Sequence, residues 1–528
     1  MNGKVSNEVP QNTKRDVQQF RSQVGHISRH SGMYFAGTIF TGALGYVFKV
    51  YLARVLGAEN LGLYALGMTL IGFFGIFNGL GLPQAAVRFV ASYRAAGKFK
   101  ELHALLWRGV GLLLIANVAL AVVLLILGKL IAVRLYHSPA LVGYLPFFAL
   151  MMLFGVVSTF YNKVLAGYRD LKLRTLIVNF IGSPLHIVIT VFLISVGMGL
   201  RGYLTAQIVT NAIVCFLLLA AVWQFTPPAA RIFNQMGASP EKEIWSFSAA
   251  MLGVSFLGFV MSQMDKVALG YYRGARDVGI YSVAAALVVY MPLALTSVNQ
   301  IFAPTIADLH TRGEQLLLVR LFQSLTKWIV GLSLPLGLVI IVFARPLMRI
   351  FGPEFEVGWP ILIIGAIGQL VNCGVGSVGT LLMMSGNERR LIKVQIVMSV
   401  FMTIGCVALV PLWGIYGAAV AAAMTTVGMN AWNLLEVRKA LGISPYNRSY
   451  LHLLLPTAAT LALTLVLKQW ASIFHHDWLA VGVALALAYC IFPAVFYFTA
   501  GLDADDRLIA SALRARMRIA LGRTGAQA

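Results

Sequence analysis

Polar positions are so sparse along this chain that the informative pattern is the length of the apolar runs between them. Runs approaching or exceeding the roughly 20 residues a helix needs to cross a 30 Å hydrocarbon core recur at residues 30 to 56, 60 to 82, 105 to 128, 141 to 163, 174 to 198, 202 to 225 and 244 to 272. They continue at 278 to 307, 321 to 344, 357 to 384, 393 to 411, 415 to 436, 449 to 467 and 478 to 500, fourteen candidate spans in all. The charge-free stretch from Val394 to Leu435 covers 42 residues and would be about 63 Å long as one helix. It therefore predicts two helices, with Pro411 and Gly414 marking the turn.

Composition narrows the class further. Of 528 residues, 59% are hydrophobic and 11% charged, against roughly 45 to 50% and 25% in a soluble chain, so a water-soluble globule is excluded. The formal net charge of +22 does not point to nucleic acid, because the basic residues punctuate apolar runs and form no Lys/Arg-rich block. Cys215, Cys373, Cys406 and Cys490 each lie inside an apolar run, far from one another, which argues against a disulfide framework or a zinc site. No phosphate-binding or dinucleotide fingerprint occurs, so no cofactor is expected.

The basic residues orient the spans. Loops sharing a side with the termini hold 28 of the 41 Lys and Arg residues, and the opposite loops hold nine: Arg54, Lys129, Arg134, Arg201, Arg273, Arg276, Arg345, Arg349 and Lys468. By the positive-inside bias both termini are cytoplasmic. Residues 1 to 29 read as a cytoplasmic tail, and 503 to 528 as a second, amphipathic one lying on the anionic leaflet. Four basic residues fall within or at the edge of spans: Lys49, Arg108, Lys266 and Lys327.

The chain also repeats itself. Gly57-Ala58-Glu59-Asn60-Leu61-Gly62-Leu63-Tyr64 matches Gly274-Ala275-Arg276-Asp277-Val278-Gly279-Ile280-Tyr281, and Gly199-Leu200-Arg201-Gly202 matches Gly414-Ile415-Tyr416-Gly417. Spans one to six (30 to 230) thus predict a lobe repeated as spans seven to twelve (240 to 440), with residues 449 to 500 adding two more. Six crossings is even, so the lobes share one orientation around an axis along the membrane normal. This all-α arrangement, two parallel six-helix lobes around a central cavity, is a plan used by alternating-access transporters.

The run Leu52-Ala53-Arg54-Val55-Leu56-Gly57-Ala58, then Gly62-Leu63-Tyr64, Gly79-Leu80-Gly81-Leu82-Pro83-Gln84-Ala85 and Arg88-Phe89-Val90, resembles the opening of the polysaccharide transporters. These are Wzx-type flippases of the superfamily that also holds multidrug extruders and the lipid II flippase. Ser262-Gln263-Met264-Asp265-Lys266 with Leu269-Gly270 is similar to that family's seventh span. The resemblance implies flipping of an undecaprenyl-pyrophosphate-linked oligosaccharide to the outer leaflet of a bacterial cell membrane. Membrane lipids, glycosyltransferases and a polysaccharide polymerase are its implied partners. A multidrug or organic-cation extruder is the alternative within the architecture, and a membrane glycosyltransferase or polymerase the alternative outside it.

Lys49 and Lys266 occupy matching places, each eight residues and so about 12 Å of helix before the repeated glycine. An ionisable group at that depth costs a few kcal/mol unless it faces a wet cavity or a partner. Two readings stand: the pair holds a pyrophosphate in the cleft, or each lysine snorkels to the interface. Asp265 either takes up a coupling proton or serves a structural contact, and as helix neighbours Asp265 and Lys266 are not required to pair. Arg88 suits phosphate capture at the cytoplasmic mouth or plain interfacial charge. Asn299 and Gln300, just before Pro304, line the cleft or bond helix to helix. Lys327, matched to Arg108 and expected near a cytoplasmic span end, either contacts substrate or snorkels. His475-His476-Asp477 lacks the spacing of a metal chelate.

Overall fold

The computed structural model describes residues 11–168, 171–231, 242–470 and 477–500, which form helices and short turns with no strand among them. The expected C-terminal amphipathic segment and the pair His475-His476 lie outside the described residues. Helix α1 (Gln11–Asn78) starts well inside the stretch expected as a polar tail and carries the first two spans, divided at the single non-helical residue Gly57 (φ 76°, ψ 173°). The first lobe continues through α2 (Leu82–Ala95), α3 (Phe99–His103), α4 (Gly109–Leu130), α5 (Leu145–Gly167), α6 (Leu171–Thr175), α7 (Ser183–Ser195) and α8 (Gly199–Phe225). The second lobe holds α9 (Lys242–Tyr272), α10 (Ala275–Val288), α11 (Leu293–Thr311), α12 (Gln315–Val342), α13 (Ala344–Arg349), α14 (Trp359–Val375), α15 (Val378–Met384) and α16 (Glu388–Leu441). Helices α17 (Leu454–Gln469) and α18 (Asp477–Ala500) follow.

Eleven helices among the described residues are long and apolar enough to cross a membrane, or twelve if the bent pair Ala275–Val288 and Leu293–Asn299, at 54° to each other, is one span. Dividing α1 at Gly57 and α16 at Gly414 (φ 56°, ψ −130°) brings the number to fourteen. The chain is a multi-pass membrane protein. Two expected spans turn out broken. The run 278 to 307 is interrupted before Leu293 by Pro292, which has no N–H to donate and disfavours helix in the residue before it. The run 357 to 384 is cut at Gly376, whose positive φ of 76° ends α14.

Matched glycines have matched backbones. Gly274 (φ 92°, ψ −177°) repeats the conformation of Gly57, and Gly199 (φ 51°) repeats that of Gly414 in φ. A further pair, Gly97 (φ 66°) and Gly313 (φ 72°), was not visible as a motif. In an extended or left-handed conformation with φ near 60 to 90° only glycine avoids a Cβ penalty, which is why the repeat survives best at its turns.

Packing is uneven along the membrane normal. At the face carrying the Gly57-Ala58 and Gly274-Ala275 turns, henceforth the GA turns, one continuous core joins both lobes: Leu52, Leu56, Leu63, Leu66 and Tyr203 from the first, and Leu269, Val278, Tyr281, Met291 and Cys406 from the second. Toward the other face the cores are separate, one built on Phe89, Phe160 and Leu218 of the first lobe alone and one on Phe302, Phe322 and Val437 of the second alone. The lobes are therefore clamped by a shared, sealed core at one end. Toward the other each packs a core of its own, and among the described residues they meet there chiefly through α1 and α2 against α9, where Phe73 lies 5.7 Å from Phe259 between ring centroids.

Candidate functional site

The clamp is built from glycine. A Cβ on Gly62 would overlap the carbonyl oxygen of Ala275, and one on Gly279 would overlap that of Ala58. The two copies of the repeated motif thus lie directly on each other, backbone against backbone. Glu354 adds a polar tie by accepting a hydrogen bond from the Ala58 N–H at 2.8 Å, and Arg54 Nε donates to the Ile350 carbonyl at 2.8 Å; Arg273 braces the second lobe from within by donating to the Pro411 carbonyl at 3.0 Å. Sequence reasoning saw the motif twice without seeing that the copies touch.

Just below this clamp sit the matched lysines, in unlike surroundings. Lys49 is exposed, and its ammonium stands 5.8 Å over the ring of Tyr290, at the break between α10 and α11 of the opposite lobe. It spans the gap between lobes. Lys266 stays on its own helix, where Nζ donates to the Ser262 carbonyl and to Gln263 Oε1, both at 3.0 Å, and lies 3.7 Å from Asp265 Oδ1. Adjacent helix positions diverge, yet the lysine stem folds back far enough to pair.

Asp265, 8% exposed, is fully engaged: Oδ2 accepts from the Tyr281 hydroxyl at 2.7 Å and Oδ1 from the Lys266 backbone N–H at 2.8 Å. The first lobe has no such acid. Phe48 occupies the matching place, against His186 at 5.5 Å and Tyr203 at 6.3 Å between ring centroids, while Tyr64, the counterpart of Tyr281, packs on Tyr203 at 4.9 Å. Sequence reasoning missed Tyr281 and Tyr290. Tyr281 closes the repeated motif and lies sixteen residues after Asp265, a signal that was available.

The remaining candidates are dispersed. Arg88 is exposed on α2 with its guanidinium 5.4 Å over Phe89, separated from the GA turn by the helical stretch from Ala58 to Asn78, about 31 Å long. That places it at the opposite mouth. Asn299 keeps Oδ1 buried with no hydrogen-bond partner among the described residues; the side chain of Gln300 lies outside them. Lys327 is buried and faces Phe496 of α18 at 5.9 Å. Helix α12 starts at Gln315, six residues before the expected boundary, and Phe496 lies four residues from the end of α18 at Ala500, so Lys327 is near a span end with its side chain covered by α18. Arg108, in contrast, is exposed on a single π turn, Ala104–Arg108.

The profile of the family described as "Polysaccharide biosynthesis protein" matches residues 27–310. The succinoglycan biosynthesis transport protein ExoT of Rhizobium meliloti is 23% identical over 65% of this chain, which spans just under two thirds (66%) of that relative's length. The probable low-salt glycan biosynthesis flippase Agl15 of Haloferax volcanii is 22% identical over 76% of this chain and 81% of its own. Among solved structures, the lipid II flippase MurJ in an inward closed conformation aligns with a TM-score of 0.67 at 16% identity, covering 88% of this chain and 98% of that one. An inward-facing multidrug resistance MATE transporter gives 0.64 at 15% identity over 76% and 94%. At such identities the likeness is one of fold.

Proposed function

The chain belongs to the polysaccharide biosynthesis protein family, and from that premise we propose that it carries an undecaprenyl-pyrophosphate-linked oligosaccharide from the cytoplasmic to the outer leaflet by alternating access. It is read as a transporter, not an enzyme, with glycosyltransferases and a polysaccharide polymerase acting before and after it. The observation that carries this reading is Lys49, an exposed ammonium reaching from one lobe to Tyr290 of the other directly beneath the clamp. A pyrophosphate moving between lobes needs a cation able to grip and release, and an ammonium on a flexible stem suits that better than a rigid guanidinium fork. An extruder of organic cations would need an unengaged carboxylate here, whereas Asp265 is held by Lys266 and Tyr281. With the termini cytoplasmic by charge bias, the shared core closes the outer face, and opening toward the cytoplasm needs the contacts of α1 and α2 with α9 to part.

The test uses the purified chain in vesicles containing a fluorescent undecaprenyl-pyrophosphate oligosaccharide, with a membrane-impermeant quencher reporting leaflet exchange. Accelerated exchange of the lipid and none of an organic-cation dye is expected; the reverse result sinks the reading. Asp265→Asn keeps an acceptor for Tyr281 and deletes the charge. If Asp265 couples transport to an ion gradient, this variant should lose roughly ten- to hundredfold of the gradient-driven rate, the range of one charge-assisted hydrogen bond, with membrane insertion unchanged. An unaltered response to an imposed pH gradient would remove Asp265 from the mechanism.

A further inference from the structure

At the ends of the two halves of α16, opposite the GA turns, a cavity of about 370 Å³ is lined by Arg390, Lys393, Val394, Trp432 and Glu436. Its charges are unequally satisfied. Arg390 donates to Glu436 Oε2 at 2.6 Å, and Trp432 Nε1 donates to Glu436 Oε1 at 3.3 Å, which occupies both carboxylate oxygens. Lys393 is exposed and has no hydrogen-bond or ion-pair partner among the described residues. The lining side chains therefore carry one net positive charge, and it resides on Lys393.

Depth and surroundings say what that charge faces. Twenty-one residues of helix, about 31 Å, separate Lys393 from Gly414, which approaches the Arg273 guanidinium beside the second GA turn. One hydrocarbon thickness thus divides the cavity from the clamped face, and Trp432 sits at the level where tryptophan favours the lipid–water boundary. Below Lys393, at helical spacing on the same face, run Ile396, Val397, Val400, Ile404 and Val407, exposed by 40 to 61%. An apolar stripe of that kind inside a bilayer is covered by acyl chains.

We propose that this cavity is a headgroup site for an anionic glycerophospholipid of the cytoplasmic leaflet, with the phosphodiester on Lys393 and Arg390 and one acyl chain along the stripe. The lining's single net positive charge matches a monoanionic phosphodiester, and competition with the transported diphosphate lipid is the experiment that separates the two. The stripe runs directly on from Lys393, so an occupant that joins a phosphate to an acyl chain meets both features at once.

The test is binding of phosphatidylglycerol, against phosphatidylcholine and inorganic phosphate, to the purified full chain by native mass spectrometry, with folding checked by thermal unfolding. Wild type should retain phosphatidylglycerol at least about tenfold better than phosphatidylcholine and ignore inorganic phosphate. Lys393→Ala should lose that preference, Arg389→Ala, outside the cavity, should keep it, and Glu436→Gln, which raises the net charge, should strengthen it. Equal retention of both lipids by wild type, or equal loss in Arg389→Ala and Lys393→Ala, would overturn the site in favour of diffuse surface charge. Displacement of phosphatidylglycerol by undecaprenyl pyrophosphate at equal concentration would overturn it in favour of the transported lipid, without touching the reading of Lys49.

Discussion

A Gly279→Val protein is expected to enter the membrane and yet lose transport almost completely, and Gly62→Val should behave alike. Each added side chain would be driven into a backbone carbonyl of the opposite lobe, Ala58 or Ala275, and a backbone atom cannot step aside as a side-chain tip can. Overpacking of this kind costs about 1 to 3 kcal/mol, and here the whole cost falls on one state, the one in which the GA turns meet. A bias of that size shifts a two-state balance by roughly five- to a hundredfold, so the lobes should stay parted at this face. Labelling of a cysteine placed by Ala58→Cys should rise in parallel with the loss of leaflet exchange. Wild-type transport by Gly279→Val would show that the lobes never need to close here. Gly279→Ala should give the same result in weaker form.

Lys49→Ala is the second large effect. The ammonium is exposed and makes no ion pair among the described residues, so removing it should leave the yield of folded protein unchanged. Losing one charged contact to the diphosphate should cost about 1.5 to 3 kcal/mol, a fall of roughly ten- to a hundredfold in exchange rate, with Lys49→Arg partly restoring it. Lys266→Ala is a less clean experiment, because it strips Asp265 of its cation and leaves a buried acid uncompensated. The double variant Lys266→Ala with Asp265→Asn avoids that conflict. Full exchange by Lys49→Ala would end the pyrophosphate role for this residue.

Much of the architecture could be read from apolar run length, because a bilayer imposes one helix length on every span. The repeat was legible for a different reason: turns that need positive φ admit little besides glycine, so Gly57 and Gly274 stay recognisable when the spans between them have drifted. Three things were hidden. Helix breaks at Pro292 and Gly376 do not interrupt hydrophobicity, so no run-length argument finds them. The burial of Lys327 was hidden because run length sets a residue's place along its span and not the neighbouring helix that covers it, here α18. The Asp265–Lys266 pairing escaped because Cβ directions, on which helix-face arguments rest, say little about where four methylenes carry an ammonium. Lys49 is the contrasting case: spacing from the repeated glycine set its depth, and only the packing of α1 against α10 gave it a neighbour, Tyr290 in the break that follows α10.

The core shared by both lobes also governs how transport must respond to temperature. Parting the GA turns wets apolar surface that is now sealed, including Leu66, which lies against Gly270 of the other lobe. Newly wetted apolar surface carries a large positive heat capacity, so the enthalpy of opening grows as the membrane warms. An Arrhenius plot of exchange limited by this step is therefore curved, steep when warm and shallow when cold, and no single activation energy describes it.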